Sequence, residues 1–412
     1  MSLLLIAGCS TTPSSAVDVP SPAAAPASAA PPNVPLTAEL LYDILLGEIA
    51  GQRGYVDVAL EALTRAALES ADPRLLSRAA GAALRAERFD KALEVATAWI
   101  AAEPNNPAPK RLSARALLAT GQPDAAYAQL AALIKHAEPD VGATYRRIAD
   151  LMARTAPDPE MLDLMDRLIA LHPDNAEAYY AKAFLADRLK EVAVTGPMID
   201  KALALRPDWE EAALAKFGHL ETEQPDDADA FAEAFLEQNP GADVLRTRYA
   251  RYLVDQEHPD EALVHFKYVA DRDPDNADAA FATGLLSIQA NKLTQAQRYL
   301  ERDVETRGNN DQARLYLGQV ATELGDYDAA ERWYREIEQP AHVFDAQMLI
   351  GHVYAKRGNI PQAITHLQSL MPVDDQQKVR LFLNQEQVYR ENKRLGDAKT
   401  VLDQGLAELP DD

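Results

Sequence analysis

Small, bulky and helix-ending positions recur along this chain at a near-constant step. An alanine, a bulky residue about four places later and a proline about ten to twelve places later mark each copy. The clearest alanines are Ala59, Ala92, Ala126, Ala262, Ala296, Ala330, Ala363 and Ala398, with steps of 33, 34, 136 (four steps of 34), 34, 34, 33 and 35 residues between them. A fixed period near 34 predicts helix pairs stacked into a solenoid, a fold that offers surface to partners and usually carries no catalytic site. Within residues 311–340 the pattern puts Leu317 and Gly318 midway along a first helix. A break follows at Gly325-Asp326, and Tyr327, Ala330, Trp333 and Tyr334 lie on or just before a second helix. Gly318 and Ala330 let the helices approach, while Leu317 and Tyr334 fill the space between neighbouring pairs. Pro340 is expected to stop the second helix, because it has no backbone donor and clashes with the preceding turn. The first-helix small position recurs as Gly47, Ala80, Ala114, Ala149, Ala183, Ala250, Gly284 and Gly351. The terminating proline recurs as Pro104, Pro173, Pro207, Pro240, Pro274 and Pro410.

Spacing, small residues and proline together resemble the tetratricopeptide repeat over roughly residues 38–412. The fold class implied is all-α, a right-handed superhelical solenoid of about eleven helix pairs. Some copies depart from the pattern: Met161 replaces the alanine in one, and Gln224-Pro225-Asp226-Asp227 is read as the turn of a shortened one. The turns Pro173-Asp174-Asn175-Ala176 and Pro274-Asp275-Asn276-Ala277 offer Asp or Asn to cap the next helix.

Composition narrows the partners. The chain has 64 acidic and 41 basic side chains, a formal charge of −23, and 47% hydrophobic residues. Nucleic-acid binding is not expected, since it needs a basic footprint. The acidity reads either as a solvated outer face or as an acidic groove that attracts basic partners.

The first residues, Met1-Ser2-Leu3-Leu4-Leu5-Ile6-Ala7-Gly8-Cys9-Ser10, resemble the end of a bacterial lipoprotein signal. The resemblance implies a lipidated Cys9, with the natural start upstream of Met1. Ser10 in place of an acidic residue implies an outer-membrane site facing the periplasm. Residues 10–35 are rich in Ser, Thr, Pro and Ala and read as a flexible tether. The organisation expected is a truncated signal at 1–9, a linker at 10–35 and the solenoid at 36–412. No other segment approaches the roughly 20 apolar residues needed to span a bilayer. At the other end Glu408-Leu409-Pro410-Asp411-Asp412 is a repeat turn without a capping helix, so further repeats are expected beyond it.

No phosphate loop, dinucleotide fingerprint, nucleophile elbow or zinc-protease motif is present. His258 and His265 lie seven apart and read either as solenoid histidines or as a metal pair, the former preferred. Asp271, Asp273 and Asp275 alternate as in a calcium loop but lack its glycine and its later glutamate. No cofactor or metal is expected, and no catalytic residue is assigned. If first helices line the concave side, as in tetratricopeptide repeats, the groove carries Tyr180, Phe184, Phe281, Leu285, Leu315, Gln319, Met348 and His352. These either hold a peptide or partner helix or fill repeat-to-repeat contacts. The first helix, read as Leu36–Ile49, is apolar nearly all round, and Leu41, Tyr42 and Leu45 are candidate contacts. It either packs inside the spiral or is claimed by a partner.

Residues 41–53, Leu41-Tyr42-Asp43-Ile44-Leu45-Leu46-Gly47-Glu48-Ile49-Ala50-Gly51-Gln52-Arg53, carry a narrower resemblance, as does Tyr249-Ala250-Arg251-Tyr252-Leu253-Val254. Both look like a group of proteobacterial outer-membrane tetratricopeptide lipoproteins. That group includes the lipoprotein partner of a periplasmic carboxyl-terminal processing protease. The resemblance implies an adaptor that binds and activates the protease and presents cell-wall hydrolases for degradation. The alternatives are a scaffold for envelope assembly or polysaccharide export and, third, a murein or glycan hydrolase.

Overall fold

The computed structural model describes residues 34–137, 139–155 and 157–409; Cys9, the 10–33 part of the linker and Pro410 lie outside them. The described residues contain 22 helices and no strand. They divide into two compact units, the first ending at Leu171 and the second beginning at His172.

The first unit holds α1 (Ala38–Gln52), α2 (Val56–Ser70), α3 (Pro73–Arg85), α4 (Phe89–Ala102), α5 (Pro107–Ala119), α6 (Pro123–Lys135), α7 (Val141–Thr155) and α8 (Glu160–Ile169). The second holds α9 (Ala176–Arg188), α10 (Val192–Leu205), α11 (Glu210–Glu223), α12 (Pro225–Gln238), α13 (Asp243–Asp255), α14 (Pro259–Arg272), α15 (Ala277–Gln289) and α16 (Leu293–Arg307). It continues with α17 (Asp311–Leu324), α18 (Tyr327–Arg335), α19 (Pro340–Lys356), α20 (Ile360–Gln368), α21 (Asp375–Glu391) and α22 (Leu395–Glu408). Each odd-numbered helix packs on the even-numbered one that follows, except that α8 packs mainly on α6 and meets α7 through the Tyr145 hydroxyl, which donates to the Leu168 carbonyl at 2.8 Å; the chain is a series of helix pairs. First helices also touch one another within a unit: α3 meets α5 and α5 meets α7 in the first, and α15, α17, α19 and α21 meet in succession in the second.

The repeat spacing has a direct packing cause. A Cβ added at Gly284 would lie 2.6 Å from Leu300, at Gly47 2.7 Å from Leu63, and at Gly351 2.7 Å from Leu367. At Gly318 it would collide with the Tyr334 ring. In all four the bulky partner stands 16 residues on, which is where the second helix crosses the first. The same spacing joins Ala114 to Leu130, Ala149 to Met165, Ala183 to Ile199 and Ala250 to Phe266, all buried. Small opposite large is therefore the rule by which the pairs close.

Nine of the turns inside a pair place one residue in the left-handed region. Gly325 (φ 79°) and Gly358 (φ 88°) supply it at no steric cost. Glu87, Lys190, Glu257, Asn291 and Lys393 adopt it with a side chain, at φ from 54° to 63°. Asn175 and Asn276 cap their helices as expected, each side-chain oxygen accepting from the N–H three residues on at 3.0 Å.

Three boundaries differ from the sequence reading. Pro340 does not end α18, which stops at Arg335; it opens α19, where its missing N–H costs nothing. Pro104, Pro207, Pro240 and Pro274 do stand just beyond helix ends. Gln224 alone joins α11 to α12, so Pro225, Asp226 and Asp227 form the first turn of α12 rather than a loop. The first helix starts at Ala38, two residues after Leu36, because Thr37 caps it by accepting from the Leu40 N–H at 3.0 Å.

Candidate protein-binding surfaces

The predicted groove residues all lie on first helices of the second unit, but the structure treats them differently. Tyr180 and Phe184, one turn apart on α9, line a cleft of about 360 Å³ with Asp187, Thr195, His219 and Glu223. Phe184 is 40% exposed, while Tyr180 leans on Trp209 with ring centroids 4.8 Å apart. His219 packs directly against Gly196 on α10, where a Cβ would lie 2.8 Å from His219 Nε2. Phe281 and Leu285 are half-buried on α15, and Phe281 packs with the cluster of Leu300 and Leu317 and faces Tyr316 at 6.2 Å. Leu315 packs against the next cluster, and Gln319 is exposed.

Met348 departs from the expectation. It is 4% exposed, sits inside the core shared by α19 to α21, and its sulfur is 3.6 Å from Asn384 Nδ2. A first helix faces its own second helix, the next first helix and solvent, and Met348 belongs to the contact between first helices. His352, one turn on, is half-buried with Nε2 3.4 Å from Glu391 Oε2.

In α1 the buried positions are Leu40, Asp43, Gly47 and Ala50, where Asp43 accepts two bonds from Arg65. Leu41, Tyr42, Leu45 and Ile49 point to solvent, Tyr42 being 63% exposed. This helix therefore buries Leu40 together with Asp43, Gly47 and Ala50 and turns Leu41, Tyr42, Leu45 and Ile49 outward.

The histidine and aspartate groupings are absorbed locally. His258 stands at the start of α14 without a side-chain capping bond, whereas His265 is half-buried beneath Arg246, whose Nη1 is 3.3 Å from Nδ1. Burial first, and then the Arg246 charge, push the His265 imidazole down to about 4. A base held neutral this way destabilises the fold under acid. Between the unfolded value near 6.5 and the folded value near 4 the unfolded chain binds more protons, so stability falls as pH falls. Discounted for partial exposure, the loss attributable to this group is about 2 kcal/mol. Urea unfolding at pH 7 and pH 4.5 should show it, with a smaller pH difference in His265→Gln; an unchanged difference would remove the histidine from the account. Asp271 accepts from Lys267 at 2.6 Å and from the Tyr299 hydroxyl, and Asp273 accepts from the Asp275 N–H at 3.2 Å. Among the described residues no group of three His, Cys, Asp or Glu is placed to hold a metal ion, and no helix is long and apolar enough to cross a membrane.

Two family models, both described as tetratricopeptide repeat, match residues 83–154 and 253–309, and residues 44–107 and 286–343. The TPR repeat-containing protein PA4667 of Pseudomonas aeruginosa is 28% identical over 148 residues, 35% of this chain. The match spans only 24% of that relative's length. A tetratricopeptide repeat protein from Parabacteroides merdae aligns over 56% of this chain and 92% of its own, at 14% identity and a TM-score of 0.34. Yeast Tom70 aligns over 89% and 91%, at 12% identity and a TM-score of 0.29. Scores in this range say nothing of partners or of the course of the stack. With its helices in successive pairs and small opposite large at eight of the crossings, the chain carries tetratricopeptide repeats over residues 44–154 and 253–343.

Proposed function

We propose that this protein-interaction scaffold is a lipid-anchored adaptor on the periplasmic face of the outer membrane. It holds a carboxyl-terminal processing protease and presents cell-wall hydrolases to it. The observation that carries a partner-holding role is the exposed apolar row Leu41, Tyr42, Leu45 and Ile49 on α1. Large apolar side chains contiguous on one helix face mark interaction sites in soluble proteins. The protease, the hydrolases and the envelope location are supported by the resemblance of residues 41–53 and of the Leu-Ile-Ala-Gly-Cys run ending at Cys9. In this reading no residue performs chemistry on a substrate. Binding two proteins on one body raises their effective concentration, and the tether keeps the assembly within reach of the cell wall.

Purified protease and a murein hydrolase are mixed with and without the chain, and hydrolase loss is followed by gel. Faster loss with the chain, no loss from the chain alone, and loss of the acceleration in Leu41→Glu/Leu45→Glu are expected. Equal rates in all three mixtures would overturn the adaptor reading.

A further inference from the structure

Beyond α1, which carries Glu39, Asp43 and Glu48 and no basic residue, the charge of the first unit is sorted by layer. Helices α3, α5 and α7 together carry nine Lys and Arg and one acidic residue, Asp150. Helices α2, α4, α6 and α8 carry nine acidic residues and four basic ones. A chain of net charge −23 thus gathers a cationic layer on three first helices, and α3, α5 and α7 touch in sequence. Some of this charge is spent internally. Lys110 donates to the Pro104 carbonyl, Arg78 pairs with Glu48, Arg147 with Asp140 at 3.0 Å and Arg154 with Asp150 at 2.8 Å. Arg85, Arg111 and Arg115 are exposed and have no carboxylate in ion-pair range among the described residues.

Arg111 and Arg115, one turn apart on α5, face Arg147 and Arg154 on α7 across an open cleft of about 470 Å³. Between the guanidiniums the wall is aliphatic: Leu133, Ile148 and Leu151. Arg85 and Arg78 line a second cleft in the same layer, between α1 and α3. Unpaired guanidiniums with their planar forks free are suited to carboxylates, which they bind bidentately.

We propose that the α3–α5–α7 layer is a docking surface for an acidic polypeptide segment whose side-chain carboxylates alternate with apolar residues. Carboxylates seat on Arg111, Arg115 and Arg85, and apolar side chains lie against Leu133, Ile148 and Leu151. A nucleic acid fits less well. No Phe, Tyr or Trp lines the cleft to stack a base, His136 being the one ring in its lining, and the aliphatic wall between the guanidiniums offers nothing to a continuous row of phosphates. The net negative charge of the chain is screened beyond roughly 8 Å at physiological salt, so capture acts at short range. The inference holds whether or not the partner is a protease or its substrate.

The test uses the whole chain and a fluorescent, end-blocked peptide in which glutamate pairs alternate with leucine, with its glutamine counterpart as control. The acidic peptide should bind, weaken as salt is raised, and lose at least tenfold in affinity in Arg111→Glu/Arg115→Glu. Circular dichroism should show that variant folded, since both positions are exposed. Lys91→Glu, on the acidic layer, should change affinity less than twofold and so shows that charge reversal away from the cleft has little effect. Equal binding of the glutamine peptide, or unchanged affinity in the double variant, would overturn the proposal. An oligothymidylate of equal charge binding more tightly than the peptide would overturn it in favour of a nucleic-acid surface.

Discussion

Gly318→Ala is expected to lower stability by about 2 kcal/mol, although alanine is the better helix former. The added methyl group meets the ring of Tyr334, which is 2% exposed and fixed by its neighbours in the same core cluster. The ring cannot move without opening the contact between α17 and α18. Tyr334→Leu alone should cost about 2–3 kcal/mol through the cavity it leaves. Together the two substitutions recreate the alanine–leucine combination of Ala114 and Leu130, so their joint cost should fall well below the sum. Urea unfolding of the four proteins measures this coupling. Strictly additive costs would mean that the two positions do not meet, and the packing rule inferred for the repeats would be wrong.

Asp311→Ala should cost about 3–4 kcal/mol, more than any other single polar substitution considered. The side chain is 1% exposed at the start of α17. One carboxylate oxygen accepts from Arg314 at 2.9 Å; the other accepts from the backbone N–H groups of Gln339 at 2.8 Å and Glu338 at 3.2 Å. It thereby ties the first helix of one pair to the segment that opens the next. Alanine leaves a half-buried guanidinium and two N–H groups without this partner. Burial alone would raise the carboxyl's pKa, but the Gln339 N–H, Arg314 and the Glu338 N–H outweigh it and hold it below the ordinary carboxylate range. Its contribution is therefore present above about pH 4 and disappears as pH falls through the lowered value. Thermal melts of Asp311→Ala and Asp311→Asn should show the larger loss at pH 7 and a shrinking difference from the parent below pH 4. A parent and a variant that melt alike at pH 7 would contradict this.

What the sequence makes legible follows from which contacts constrain residue type. Gly47, Gly284, Gly318 and Gly351 stand out because each faces a bulky side chain 16 residues on and nothing larger fits. The turn residues Glu87, Lys190, Glu257, Asn291 and Lys393 do not, since a left-handed conformation costs only about 1–2 kcal/mol and leaves no compositional mark. Pro340 misleads because proline suits both the residue after one helix and the first residue of the next. Met348 misleads because a period of 34 assigns the same register to side chains that face the neighbouring first helix and to those that face solvent. The cationic layer is hidden for a different reason. A net charge of −23 averages over the whole chain, whereas Arg85, Arg111 and Arg115 acquire meaning only when charges are sorted by first and second helix. That sorting needs no coordinates once the helix pairs are assigned.

The adaptor reading is tested most directly by sedimentation of the chain with the processing protease. A complex moving faster than either protein and containing both is predicted, and it should dissolve when Leu41 and Leu45 are replaced by glutamate. Two independent boundaries at the concentrations used for hydrolase degradation would contradict it.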